Sequence, residues 1–182
     1  DLDVDSEVGV GSTFRFTIAL RPGAAAPRPQ PWLRDRTAII VERSLHENYG
    51  KRWNLSPQDM LNEPMSPTNY AYTRHMLTVA QSGTATEIGV VALPCAWIYC
   101  VIGKHLLKNG APPAKHPYRD WLMLYASPEF EAVQEWMRAR IDTWARTAGH
   151  EEKKRMEHSF LISSKYEWMF WEMAWNEEKW PL

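Results

Sequence analysis

Cys95 stands in an almost unbroken apolar run, Leu93-Pro94-Cys95-Ala96-Trp97-Ile98-Tyr99, one helical turn from the phenol of Tyr99. Residues spaced i, i+4 share a helix face, and the apolar setting is expected to screen the thiol from water. About seventy residues on, Tyr166-Glu167-Trp168-Met169-Phe170-Trp171 sets a carboxylate into an aromatic run. Thiol, phenol, acid and aromatic walls suit covalent chemistry on a flat heterocycle.

Each of these residues also admits a plainer reading. Cys95 follows Pro94, which removes a backbone donor and favours a kink of the kind that flanks pockets. A reactive thiol needs a lowered pKa or a nearby base, and no cation lies close to it in the chain. The plainer reading makes Cys95 a small core hydrophobe. Glu167 shares its helical face with Phe160, Ser163, Phe170, Trp171 and Ala174. Burial there raises a carboxyl pKa and suits it to act as acid and base in turn, or else Glu167 only satisfies a tyrosine or a backbone amide. Tyr72, on one face with Met76 and Val79, and Tyr125, closing the run from Trp121, point inward. Either phenol lines a site or pairs with a buried polar group. The six histidines show no metal-ligand spacing with a carboxylate, so neither metal nor cofactor is expected.

The elements that would position these groups are helical. Ser56-Pro57, Ser66-Pro67 and Ser127-Pro128 each place serine at an N-cap and proline at the first helical position. Helices are predicted over about 56–63, 66–82, 84–108, 117–126, 127–148 and 150–178, with Gly83, Asn109-Gly110 and Gly149 as stops. Short connections between them imply antiparallel neighbours in an all-α bundle. Residues 1 to about 40 differ. Thr13 to Leu20 alternates with period two after a Gly9-Val10-Gly11-Ser12 turn and reads as a strand, Gly23 to Pro31 as a linker, and Thr37 to Val41 as a second short apolar run.

Composition narrows the class further. With 182 residues the chain holds one domain with a real core, or one domain and a fragment. The balance of 21 basic against 22 acidic residues gives no sign of nucleic acid or membrane-surface binding. Nine of the ten tryptophans follow residue 50, so the helical part is built around aromatics. Cys95 and Cys100, at i, i+5, point in different directions and are not expected to bridge, which implies a reduced, cytoplasmic setting. Ile88 to Gly103 carries no charge but is only 16 residues long, shorter than a bilayer needs, and reads as a core helix. The opening Asp1-Leu2-Asp3-Val4-Asp5 is not that of a signal peptide.

Two resemblances follow from motifs. Ser6, Gly9, Gly11, Ser12, Thr13, Phe14 and Phe16 resemble the closing pattern of the ATP-binding domain of sensor histidine kinases, over about 20 residues and without that family's nucleotide-binding boxes. ATP binding is therefore not expected. From about residue 43 to 182 the chain resembles the TenA (thiaminase II) family. The likeness is carried in order by Glu63-Pro64-Met65-Ser66-Pro67 with Ala71-Tyr72, by Leu93 to Tyr99, by Trp121-Leu122 with Tyr125 to Phe130, and by Tyr166-Glu167 with Phe170 to Ala174.

The TenA resemblance implies a haem-oxygenase-like helical bundle, assembled as a homotetramer, that hydrolyses thiamin or its aminopyrimidine breakdown products to hydroxymethylpyrimidine for thiamin salvage. It implies Cys95 as the nucleophile, Glu167 as the proton carrier at a ring nitrogen, Tyr72, Tyr99 and Tyr125 as lining, and Phe170 as the stacking ring. The expected division is a kinase-like fragment at 1–22, a linker and apolar run at 23–42, and a TenA-like domain at 43–182, N-terminally truncated. Members of the family begin with about two further helices, one carrying an aspartate that grips the pyrimidine amino group, and no residue from 1 to 43 matches it. Loss of such a contact costs on the order of 2 to 4 kcal/mol. The alternative expectation is thus a non-catalytic binding or assembly module.

Overall fold

The computed structural model describes residues 2–7, 11–16, 43–108 and 110–181. Its first elements are β1 (Leu2–Glu7) and β2 (Gly11–Phe16), an antiparallel hairpin in which Leu2 pairs with Phe16 and Glu7 with Gly11. The strand expected from Thr13 thus begins two residues earlier, and it has a partner in the alternating Asp-Leu-Asp-Val stretch. The linker, the run at 37–41 and residues 17–20 lie outside the described residues.

Among the described residues seven helices follow: α1 (43–52), α2 (Pro57–Asn62), α3 (Pro67–Ser82), α4 (Ala85–Leu107), α5 (Arg119–Tyr125), α6 (Pro128–Ala145) and α7 (His150–Trp175). All but α1 were expected, with ends shifted by up to three residues. The serine caps form as the Ser-Pro pairs predict: Ser56, Ser66 and Ser127 accept from the backbone N–H of Asp59, Asn69 and Phe130. Thr84 caps α4 with Glu87 returning a bond from its N3 position.

The apolar α4 is the centre of the bundle, packed by α3, α5, α6 and α7. By length and composition alone it would cross a bilayer, but eleven of its residues are buried against neighbouring helices. Its apolar character is accounted for by packing. One core cluster joins Val90, Leu93 and Trp97 of α4 to Ile141 and Ala145 of α6 and Met156 and Phe160 of α7. A second joins Tyr99 and Cys100 to Tyr125 and Phe130. Gly103 permits the second: a Cβ there would lie 3.0 Å from the backbone of Tyr125 and Ala126. The missing side chain lets the end of α5 rest on α4.

Two polar locks tie distant elements. Glu87, only 4% exposed, receives the Thr84 N–H at 2.8 Å and Arg155 Nε of α7 at 2.7 Å. Burial pushes its carboxyl up, but the bonds from the Thr84 backbone and from Arg155 outweigh this and hold it below its ordinary value of 4.5. A carboxylate depressed in the folded chain stabilises fully above the unfolded value and loses that contribution as pH falls through the folded one. Urea unfolding of Glu87→Gln should therefore show a deficit against the parent chain near pH 6 that shrinks steadily below about pH 4.5.

The second lock follows α7. Glu177 adopts a left-handed φ of 49°, and the N–H of Glu178 bonds back to the Met173 carbonyl at 3.0 Å, so the chain reverses in a Schellman turn. The Glu178 carboxylate then accepts both the backbone N–H (2.8 Å) and the hydroxyl (3.0 Å) of Thr68, in the first turn of α3. The Trp180 indole N–H bonds the Met65 carbonyl at 2.8 Å, and its ring meets the edge of Tyr70. A carboxylate at a helix N-terminus is favoured by the dipole as well as by its bonds. Glu178→Ala should cost about 1–2 kcal/mol, read as a fall of several degrees in Tm by calorimetry.

Candidate active site

Of the expected site residues, Tyr72, Tyr99, Tyr125 and Glu167 are buried on α3, α4, α5 and α7 respectively. Tyr72 of α3 donates its hydroxyl to Glu167 Oε1 of α7 at 2.6 Å, and both residues are buried. Burial pushes the Tyr72 phenol strongly up; the Glu167 charge and the bond it accepts add to this, with smaller contributions from Cys95 and Tyr99. Tyr72 consequently keeps its proton and acts as a donor at any working pH.

Tyr99, one turn beyond Cys95, belongs to an aromatic group. Its ring lies 5.0 Å from Tyr125, 5.8 Å from Trp121 and 5.8 Å from Trp171. Trp121 closes the group, 4.7 Å from Tyr125 and edge-on to Trp171. Tilted and edge-to-face arrangements at these spacings are favourable for quadrupolar rings. Tyr72, Tyr99 and Tyr125 are thus inward-facing, as expected. Trp121 and Trp171 were not singled out as lining, although Trp171 stands one turn after Glu167 on the same face, which was the available signal. Phe170, three residues after Glu167, is half-buried on α7.

One expectation is corrected. Cys95 is exposed rather than screened from water. Its face-mates Val91 and Tyr99, one turn to either side, are buried, and so is Pro94 beside it. Apolar neighbours in sequence do not enforce burial; that depends on what packs over the position. The small thiol is exposed although larger side chains on either side of it are covered. Cys100, in contrast, is buried in the second core cluster, and burial pushes its thiol up. Both cysteines are present as thiols. Among the described residues no group of three histidine, cysteine, aspartate or glutamate side chains is arranged to hold a metal ion.

α3 and α7 are held in register by further contacts. Tyr166 stacks on Tyr72, with ring centroids 5.1 Å apart and planes 12° from parallel, and lies 5.7 Å from the His75 ring. His75 Nε2 meets Ser163 Oγ at 3.2 Å, and Ser163 is fully buried one turn before Glu167. Burial pulls the His75 pKa down, opposed by a hydrogen bond to the Ser159 backbone.

Residues 35–177 match the profile of the TENA/THI-4/PQQC family. The chain belongs to the TENA/THI-4/PQQC family. An aminopyrimidine aminohydrolase from Halalkalibacterium halodurans is 39% identical over 144 residues, which cover 78% of this chain and 63% of the relative. One of the same description from Bacillus subtilis is 34% identical, covering 77% of this chain and 58% of the relative. The chain therefore spans about three fifths of the length of these family members. A TenA homologue structure from P. horikoshii superimposes with a TM-score of 0.65 at 32% identity, covering 79% of this chain and 64% of that one. The bundle has the helical haem-oxygenase-like fold of its TenA neighbours.

Proposed function

We propose that this chain is a TenA-type hydrolase domain, acting on thiamin or its aminopyrimidine degradation products to yield hydroxymethylpyrimidine for thiamin salvage. The observation that carries this reading is the buried Tyr72–Glu167 hydrogen bond, which brings the α3 phenol and the α7 carboxylate of the expected site together. The description of the 39% identical relative as an aminopyrimidine aminohydrolase supports it. In the proposed chemistry the Cys95 sulfur adds to a pyrimidine ring carbon, and the displaced electron pair is taken up at a ring nitrogen, which receives a proton from Glu167. The amine, having taken the thiol proton, departs as neutral ammonia, or the thiazole departs as its neutral base with the thiol proton passing to solvent. Water then adds its oxygen to the methylene, and its released proton restores the thiol as the sulfur leaves. In that step Glu167 recovers its proton and the ring regains aromaticity. Tyr72 anchors the Glu167 carboxylate, Tyr99 and Tyr125 wall the ring, and Phe170 stacks on it. Release of hydroxymethylpyrimidine and ammonia from aminomethylpyrimidine by the purified chain is the test, and a chain without turnover on either substrate would refute the reading.

A second reading is favoured by the exposure of Cys95, which the screened thiol of a closed site would not show: a non-catalytic binding module. Calorimetry with an aminopyrimidine separates the two, since binding without turnover supports the module and turnover excludes it. Assembly as a homo-oligomer, a tetramer by family likeness, belongs to the same proposal and is read by light scattering. So does a cytoplasmic setting, which rests on the two thiols and on the substrate class. The division at residues 22 and 42, with a histidine-kinase-like first segment, is likewise proposed, and limited proteolysis reads its boundaries.

A further inference from the structure

The Tyr72–Glu167 bond joins two helices whose partners are 95 positions apart in sequence, so something must fix the stagger of α3 on α7. Tyr166 does this from the residue next to Glu167. Its ring covers Tyr72 at 5.1 Å and 12°, and reaches His75, one turn further along α3, at 5.7 Å. Glu167 therefore meets the hydroxyl of Tyr72 while its neighbour meets the ring of the same residue. A sliding of α3 by even part of a turn would break both contacts together. The His75–Ser163 contact repeats the stagger one turn away.

We infer that Tyr166 is a positioning residue, holding the Tyr72 phenol on the Glu167 carboxylate by ring stacking and making no contact with substrate. The inference rests on the hydrolase reading for its kinetic consequence, though not for its structural one. The ring is what matters: the Tyr166 hydroxyl has no part in the stack, so Tyr166→Phe should preserve function while Tyr166→Leu should not.

Three measurements decide it. On aminomethylpyrimidine, Y166L is expected to lower kcat about tenfold with KM changed less than about threefold, because misplacing a proton carrier slows chemistry more than binding. Y166F should lie within about threefold of the parent in both. In the Tyr72→Phe background, where the phenol to be positioned is gone, Y166L should add almost nothing further. NMR of chains labelled at the tyrosine Cζ reads the phenol bond without substrate. The Tyr72 resonance, identified by its loss in Y72F, should shift in Y166L and stay in Y166F. Full kcat in Y166L, an effect on KM alone, an equal loss in Y166F, or full additivity with Y72F would each overturn the inference. If Y166L does not fold, Tyr166→Met, which fills the space without a ring, carries the same comparisons. If the parent chain shows no turnover, the hydrolase reading fails and the NMR comparison alone decides Tyr166: an unmoved Tyr72 resonance overturns it.

Discussion

Cys95→Ala should lower the release of hydroxymethylpyrimidine by about 10³-fold or more, because no neighbouring group replaces a sulfur nucleophile that forms a covalent intermediate. The same change should leave the bundle intact. The thiol is exposed and Ala is a good helix former, so the Tm should stay within a few degrees and calorimetric affinity for an aminopyrimidine should persist. Loss of turnover with retained fold and binding separates a nucleophile from a packing residue. Unchanged turnover in C95A would remove Cys95 from the mechanism.

Glu167→Gln carries the second large effect. The amide keeps a carbonyl oxygen for the Tyr72 hydroxyl, so the buried bond across α3 and α7 survives, but it has no proton to exchange with a ring nitrogen. A loss of about 10²–10⁴ in kcat is expected, in the range of general acid–base catalysis, with little change in stability. Glu167→Ala should behave differently. It strands the buried Tyr72 hydroxyl, which costs about 1–3 kcal/mol, so that denaturant unfolding moves as well as turnover. A comparable kcat in E167Q and the parent chain would reduce Glu167 to a structural partner of Tyr72. Tyr72 stays protonated and supplies no limb of its own to a pH–rate profile, but Y72F withdraws a hydrogen bond from the Glu167 carboxylate, so the limb that reports Glu167 should move to higher pH.

Much of the bundle was legible because its helices announce their starts. Ser56, Ser66 and Ser127 before prolines, and Thr84 three residues before Glu87, fix the N-termini by local chemistry that needs no tertiary information. α1 carried no such marker, since only Leu45 and Tyr49 supply a helical apolar pair before the turn at Trp53. β1 was hidden because aspartate is depleted in strands, and only its pairing with β2 organises it.

The site divides in the same way. Cys95 and Tyr99 share one turn, so their association was visible from spacing, and the largely apolar face around Glu167 marked it for burial. The Tyr72–Glu167 bond was open in kind but not in partner, because nothing local selects one tyrosine among several. The exposure of Cys95 depends on what lies over α4, a property of packing that an apolar run does not encode. Tyr166 was passed over because it flanks Glu167 off the inward stripe, where only the approach of α3 gives it a role.

The clasp of Glu178 and Trp180 on the first turn of α3 sets the order in which a nascent chain can mature. α3 is synthesised about a hundred residues before the tail that grips it, so the clasp is a long-range contact that can form only after α7 and its reversal exist. A chain cut shortly before Glu178 should therefore keep its helices but lose this closure, leaving the first turn of α3 frayed and quicker to exchange its amide protons.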